Sequence, residues 1–167
     1  SLDSEPVAGK KSAGAAMNLD IARSLKKDDE AEGFWVMEQK AGHVSYGEAN
    51  SLSRPGELRI FMYQLLARGA TGILYFYWRQ PRIGPEKFYG GILTHDGTGE
   101  NRMYDEILQL GEEMQQIAPS LAGTQVFPET AIMISQDNDW AQDQPMRPNR
   151  YFNQRDHVSM YYKAFHD

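Results

Sequence analysis

The 167-residue chain contains no cysteine, which excludes disulfides and thiolate metal sites. It also lacks a basic excess, because 17 Lys and Arg stand against 23 Asp and Glu for a net charge of −6. That charge provides no electrostatic footprint for nucleic acid or an anionic membrane. No apolar run approaches the roughly 20 residues of a membrane span, and no signal peptide is visible. The lack of cysteine is compatible with the cytoplasm, where we expect the protein.

The remaining composition is that of an ordinary soluble domain. Hydrophobic residues make up 41% of the chain and charged residues 24%. The length suffices for one domain with a core. The sequence begins at Ser1 rather than at methionine, which suggests processing or a fragment of a longer protein.

The most informative stretch is FWVMEQ, residues 34–39, an apolar run that ends in a carboxylate. Gly33 and Gly42 lie close to its two ends, as turn residues do around a strand. A continuous apolar run predicts a strand that is buried on both faces, as in a parallel sheet. In barrels of parallel strands, catalytic side chains lie at the carboxyl ends of the strands. Spacing alone does not decide whether Glu38 has that catalytic role or is a solvated carboxylate at the end of the strand.

A helix and a second strand follow. Ser53 predicts an N-cap, Pro55 lies near the first turn, and Gly69 predicts the C′ position. The apolar face of this helix follows the i, i+3, i+4 pattern at Leu58, Phe61, Met62, Leu65 and Leu66. Residues 72–78 predict another buried strand, so the unit is βαβ with parallel strands.

The flanking segments complete the predicted organisation. Helices are expected over residues 15–25 and 101–118, the latter ended by Pro119. A long loop at 79–99 is of the kind that usually carries function. A third short strand is expected at 130–135, and a helix at 151–165. Two parallel strands leave both sheet edges unpaired, and a closed barrel needs roughly 250 residues, so the sequence predicts the last quarter of a barrel.

Six motifs in register carry a family resemblance. They are FWVMEQ at 34–39, GHV at 42–44, RPGE at 54–57 with Arg59, LA and GA at 66–70, YFYWRQ at 75–80, and EKF at 86–88. At these spacings the chain resembles glycoside hydrolase family 42, the β-galactosidases. The resemblance implies an α/β fold: the C-terminal portion of a (β/α)8 TIM barrel, with the seventh and eighth strands and their flanking helices. An α/β trimerisation domain would then open.

The resemblance also implies the domain limits and the assembly. Residues 1–122 would be the C-terminal part of the catalytic barrel, residues 123–129 a linker, and residues 130–167 the start of the trimerisation domain. The complete enzyme would be a homotrimer that hydrolyses terminal β-D-galactosides. No cofactor and no metal are implied, and His43 and His95 lack a third ligand at metal spacing.

Four residues match functional positions of the family. Glu38 falls on the catalytic nucleophile, and Glu86 on an acidic residue that binds sugar hydroxyls. Tyr46 stands where the family usually has a tryptophan wall, and Tyr89 where a histidine is common. For Glu86 the alternative is a loop salt bridge with Lys87 or Arg82. For the two tyrosines the alternative is anchoring of their loops, and Trp78 is expected to pack inside the barrel.

The implied chemistry needs a second carboxyl group that these residues do not supply. A retaining glycosidase uses a nucleophile and an acid/base carboxyl about 5–5.5 Å apart. By resemblance the acid/base belongs to the fourth strand, and no such segment exists in this chain. We therefore expect a fragment that carries the nucleophile but is inactive alone. The alternative is a non-catalytic remnant of the same fold that binds sugar or serves assembly.

Overall fold

The computed structural model describes residues 12–25, 33–44, 47–48, 50, 52–147 and 149–166. Tyr46 lies outside the described residues. The described elements, in chain order, are α1 (Ser12–Ser24), β1 (Phe34–Lys40), α2 (Glu57–Ala67), β2 (Ala70–Phe76), α3 (Arg102–Leu121), α4 (Gln136–Gln142) and α5 (Gln154–His166). No helix among these is both long and apolar enough to traverse a bilayer.

The predicted parallel pairing of the two strands is confirmed. β1 pairs with β2 from Phe34 opposite Ala70 to Lys40 opposite Phe76. The register shifts between Val36 and Gln39, where three steps along β1 face two steps along β2. The extra β1 residue makes a bulge at Met37 and Glu38, and bulges bend a strand and redirect its side chains.

Helices cover one face of this sheet. The core there is formed by Leu19 of α1, Leu65 of α2, and Phe34, Val36 and Ala70 of the strands. A second cluster joins α2 to α3 through Leu58, Phe61, Met62 and Leu110. The helical members of both clusters lie on the apolar faces of their helices, and the strand members of the first cluster lie on the covered face of the sheet.

The opposite face of the sheet is uncovered within the described residues. Trp35 is 64% exposed and Met37 67% exposed, and Leu74 of the neighbouring strand is also exposed. The prediction of strands buried on both faces is therefore wrong for this chain. The physical reason is that alternate side chains point to opposite faces, and the described helices supply packing for only one of them.

Two helix ends also differ from expectation. Ser53 does not cap α2: Gly56 holds the N-cap position with φ 79°, and the Glu57 carboxylate accepts a hydrogen bond from the Arg54 amide at 2.9 Å. The left-handed turn that glycine permits moves the helix start past Pro55. Pro119 lies inside α3 rather than after it. A proline removes one hydrogen bond, and the Ala122 amide still donates to the Ala118 carbonyl at 2.9 Å.

The C-terminal segment differs more. Residues 130–135, predicted as a strand, have no strand pairing, and Met133 is 96% exposed. A strand forms only against a partner, and the described residues offer none at this place. The short helix α4 follows, which the sequence did not predict; Ser135 caps it by accepting from the Asn138 amide. α5 was predicted, and it packs both against α1, which is distant in the sequence, and against α4, which precedes it.

Candidate active site

Glu38 lies on the bulge of β1, near the carboxyl end of the strand. Its side chain is exposed, as are those of its bulge neighbour Met37 and of Trp35. Val36 and Gln39, on either side of the bulge, are buried instead. The bulge therefore gives Glu38 an exposed position without breaking the pairing of the strand ends.

The loops that follow the two strands meet at this edge of the sheet. The Ala41 amide donates to the Phe76 carbonyl at 3.1 Å, and the Gly90 amide donates to the His43 carbonyl at 2.8 Å. The contact is close, because a Cβ on Gly90 would lie 2.6 Å from the His43 nitrogen. Carboxyl ends of neighbouring parallel strands share an edge, which is where such folds place their sites.

Backbone hydrogen bonds order the long loop after β2. The Ile92 amide donates to the Tyr77 carbonyl at 2.9 Å and the Leu93 amide to the Trp78 carbonyl at 2.8 Å. The Asn101 side chain, which also caps α3, donates to the Ile92 carbonyl at 3.0 Å. The chain between Tyr77 and Leu93 is therefore a closed, tethered loop, and it carries Glu86.

Glu86 is exposed and is held by the residue that directly follows β2. The Tyr77 hydroxyl, just beyond the strand end, donates to the Glu86 Oε2 atom. The alternative salt bridge does not form between these described residues: Arg82 donates to the His95 carbonyl at 2.7 Å, and the Lys87 ammonium lies over the Phe88 ring at 5.1 Å. The carboxylate of Glu86 is thus oriented by a hydroxyl group rather than neutralised by a cation.

Tyr89 is buried beneath this pair, at 7% exposure. Its ring meets those of Phe76 and Tyr77 edge-on, with centroid distances of 5.5 and 5.7 Å and interplanar angles of 82° and 85°. Edge-to-face pairs of this kind add to the free energy of burial. Its amide donates to the Glu86 carbonyl at 2.8 Å. In this chain Tyr89 therefore supports the loop and the ring of Tyr77.

Other candidate residues are placed apart from this arrangement. Trp78 is 66% exposed, so the expected packing of its ring is not formed by the described part of the chain. His95 presents its carbonyl to Arg79 and Arg82. Glu57 is engaged by the Arg54 amide, and Glu48 is exposed. Among the described residues, no three His, Asp or Glu side chains come together as a metal site would require.

The sequence comparison decides the family. The profile of Glyco_hydro_42, described as Beta-galactosidase, matches residues 3–117. The chain belongs to glycoside hydrolase family 42. It is 36% identical to Beta-galactosidase bgaB of Geobacillus kaustophilus over 151 residues, and 33% identical to Beta-galactosidase LacZ of Heyndrickxia coagulans over 150 residues. Each alignment covers 90% of this chain and 22% of the relative, so the chain spans under a quarter of those proteins.

Solved structures of this family share the α/β fold. The β-galactosidase from Bacillus circulans sp. alkalophilus superposes with a TM-score of 0.87 at 29% identity, over 98% of this chain and 24% of that one. The β-galactosidase from Rahnella sp. R3 gives a TM-score of 0.84 at 28% identity, over 96% of this chain and 24% of that one. The family membership confirms the resemblance that the six motifs predicted.

Two features of the site escaped the sequence analysis. Nothing in the FWVMEQ pattern signals the bulge at Glu38, because a bulge is a property of the paired strands. The role of Tyr77 was also missed, although its position at a strand tip, nine residues before Glu86, was a usable signal.

Proposed function

We propose that this chain is the nucleophile-bearing segment of a retaining β-galactosidase, and that Glu38 is the nucleophile. The observation that carries the proposal is the exposed position of Glu38 on the bulge of β1, at the edge where the two strand-end loops meet. Family membership supports the reaction class. A carboxylate there can attack an anomeric carbon, since it is neither buried nor masked by the helices.

The segment would supply the seventh and eighth strands of a (β/α)8 barrel. The support is the uncovered sheet face, where Trp35 and Met37 are exposed beside Leu74. An apolar face of this kind needs a covering layer, since isolated proteins rarely expose contiguous apolar patches. Further barrel strands would close over it, and the unpaired strand edges would gain partners. The remainder of the relatives' length would provide them.

The reaction uses two carboxyl groups with different roles. Glu38 forms a glycosyl-enzyme intermediate, and an acid/base carboxyl about 5–5.5 Å away protonates the leaving oxygen and then activates water. That second group would come from the fourth barrel strand, outside this chain. Glu86 accepts hydrogen bonds from sugar hydroxyls. Its exposed carboxylate, tethered by Tyr77, is suited to that task.

The remaining assignments rest on the family resemblance. The ring of Tyr46 would pack against the apolar face of galactose, and Tyr89 would contribute to substrate binding through the loop that it supports. Residues 123–129 would link the barrel to a trimerisation domain that opens at residue 130. A homotrimer remains a prediction of the same kind, and a cytoplasmic location remains a prediction from the composition.

Trapping of the intermediate tests the nucleophile. The complete polypeptide that contains these residues is incubated with a 2-fluoro galactosyl inhibitor and digested for mass spectrometry. We expect the label on the peptide that carries Glu38, and none after Glu38→Gln. The matched control is Glu48→Gln, which alters an exposed carboxylate in the loop that follows β1 and should still label.

Two results would contradict the proposal. A label on Glu86 or on another carboxylate would show that Glu38 is not the nucleophile. A complete polypeptide that binds galactose but neither turns over nor labels would favour the non-catalytic, sugar-binding remnant instead.

A further inference from the structure

We propose that Tyr77 is a positioning residue of the galactoside site, which acts by fixing the carboxylate of Glu86; this inference rests on the function proposed above. The contact that suggests it is the hydrogen bond from the Tyr77 hydroxyl to Glu86 Oε2. Tyr77 follows directly on β2, whereas Glu86 lies in the loop, so the bond ties the loop carboxylate to the rigid sheet.

The bond gives the two oxygens of the Glu86 carboxylate different roles. A carboxylate accepts at both oxygens, through about four lone-pair positions. With Oε2 engaged by Tyr77, Oε1 remains to accept a hydroxyl of the sugar. An exposed glutamate otherwise samples several rotamers, and ordering it on binding has an entropic cost. Tyr77 removes part of that cost before the sugar arrives.

Packing keeps Tyr77 itself in place. Its ring meets the buried ring of Tyr89 edge-on at 5.7 Å and 85°. The Ile92 amide holds its carbonyl at 2.9 Å. Tyr89 in turn binds the Glu86 carbonyl through its amide at 2.8 Å. The three residues thus form one unit, in which Tyr89 supports Tyr77 and Tyr77 orients Glu86.

Kinetics of the complete polypeptide with nitrophenyl β-galactoside tests this inference. Tyr77→Phe removes only the hydroxyl. We expect KM to rise about tenfold while kcat changes much less, because a tenfold weaker binding corresponds to the loss of one hydrogen bond to a charged group. Tyr75→Phe is the matched control, because Tyr75 lies on β2 two residues before Tyr77 and pairs with Gln39 of β1. We expect its KM to stay at the wild-type value.

A coupling measurement separates positioning from a merely structural role. In a Glu86→Gln background, Tyr77→Phe should have little further effect on KM, because the group that it orients is already altered. Tyr89→Leu should raise KM as Tyr77→Phe does, and Tyr89→Phe, which retains the ring, should raise it less. Melting temperature and the fraction of labelled active sites should not change with Tyr77→Phe.

Failure of the positioning role of Tyr77 can be distinguished from failure of the proposed function. If the wild-type polypeptide labels Glu38 and turns over, but Tyr77→Phe leaves KM unchanged or acts equally with and without Glu86, the positioning role is wrong and the proposed function stands. If the wild type neither labels nor turns over, the proposed function fails and the role of Tyr77 fails with it.

Discussion

The attachment of the C-terminal helix to the rest of the chain gives the sharpest prediction on stability. Asp20 of α1 accepts from the Arg68 guanidinium at 2.6 Å, from Arg23 at 2.6 Å, and from the Tyr162 hydroxyl of α5. Arg68 also donates to the Tyr162 oxygen at 3.0 Å. We call Asp20, Arg68 and Tyr162 the α5 clasp. Burial, assisted by Asp20, raises the pKa of Tyr162 from its ordinary value to about 12, which is the direction expected for a hydroxyl that donates to a carboxylate.

Tyr162→Phe removes the hydroxyl and leaves the ring. A hydrogen bond to a charged group contributes about 1.5–3 kcal/mol. The net loss should be smaller, about 1–2 kcal/mol, because Asp20 keeps both arginines and its side chain is 19% exposed to water. Since 1.36 kcal/mol corresponds to a factor of ten, α5 should open about 5–30 times more often.

Asp20→Asn should cost more, about 2–4 kcal/mol. It leaves Arg23 and Arg68 close together without their carboxylate, and stranding buried charge costs about 3–5 kcal/mol when burial is complete. Here the Arg68 side chain is 26% exposed, so water relieves part of the penalty. The expected order of destabilisation is therefore Asp20→Asn, then Tyr162→Phe.

Hydrogen exchange of the α5 amides, read by mass spectrometry, measures this opening directly. The matched control is Tyr161→Phe, which removes a hydroxyl from the adjacent residue, 56% exposed, and should leave exchange unchanged. Equal exchange in Tyr162→Phe and Tyr161→Phe would refute the clasp. Faster exchange throughout the chain, rather than in α5, would show that the effect is global.

Three further predictions concern the site and the helix packing. In the complete polypeptide, Glu86→Gln should weaken galactose binding yet still allow labelling of Glu38; identical trapping in Glu86→Gln and Glu38→Gln would contradict the division of roles. Tyr46→Trp should change the affinity for galactose-type inhibitors by up to about 1–3 kcal/mol, as one pocket contact does, and no change would mean that Tyr46 points elsewhere. Hydrogen bonds from Arg59, then Tyr63, lower the pKa of Glu113 to about 2. The Glu113 carboxylate therefore stabilises the α2–α3 contact at pH values above its unfolded pKa of 4.5, and this stabilisation is lost as the pH falls toward 2. An acid titration followed by circular dichroism should show this loss in the wild-type chain but not in Glu113→Gln.

The isolated 167-residue chain should not hydrolyse galactosides. Glu38 lacks a second carboxyl group across the scissile bond, and general acid catalysis typically contributes 10²–10⁴-fold. An assay of the purified chain with nitrophenyl β-galactoside, alongside Glu38→Gln, measures this. Turnover that disappears in the variant would mean that the acid lies within these residues.

Local pattern determined much of the secondary structure. The 3.6-residue periodicity of residues 58–66 predicted α2, and its buried residues Leu58, Phe61, Met62 and Leu65 are those of the pattern. Two apolar runs around one helix predicted parallel strands, which the structure has. The six motifs predicted the family. These successes share a cause, since backbone periodicity and short motifs depend on neighbours within a few residues.

Tertiary structure decided the remainder. The 130–135 run resembles a strand, but pairing needs a partner that no local pattern can guarantee. The clasp joins Asp20 to Tyr162 across 142 residues of sequence. The bulge at Glu38 and the bond from Tyr77 to Glu86 depend on strand register and loop packing. The sequence therefore determined the longer helices and the two paired strands, whereas packing between distant segments determined which side chains are exposed and which partners hold them.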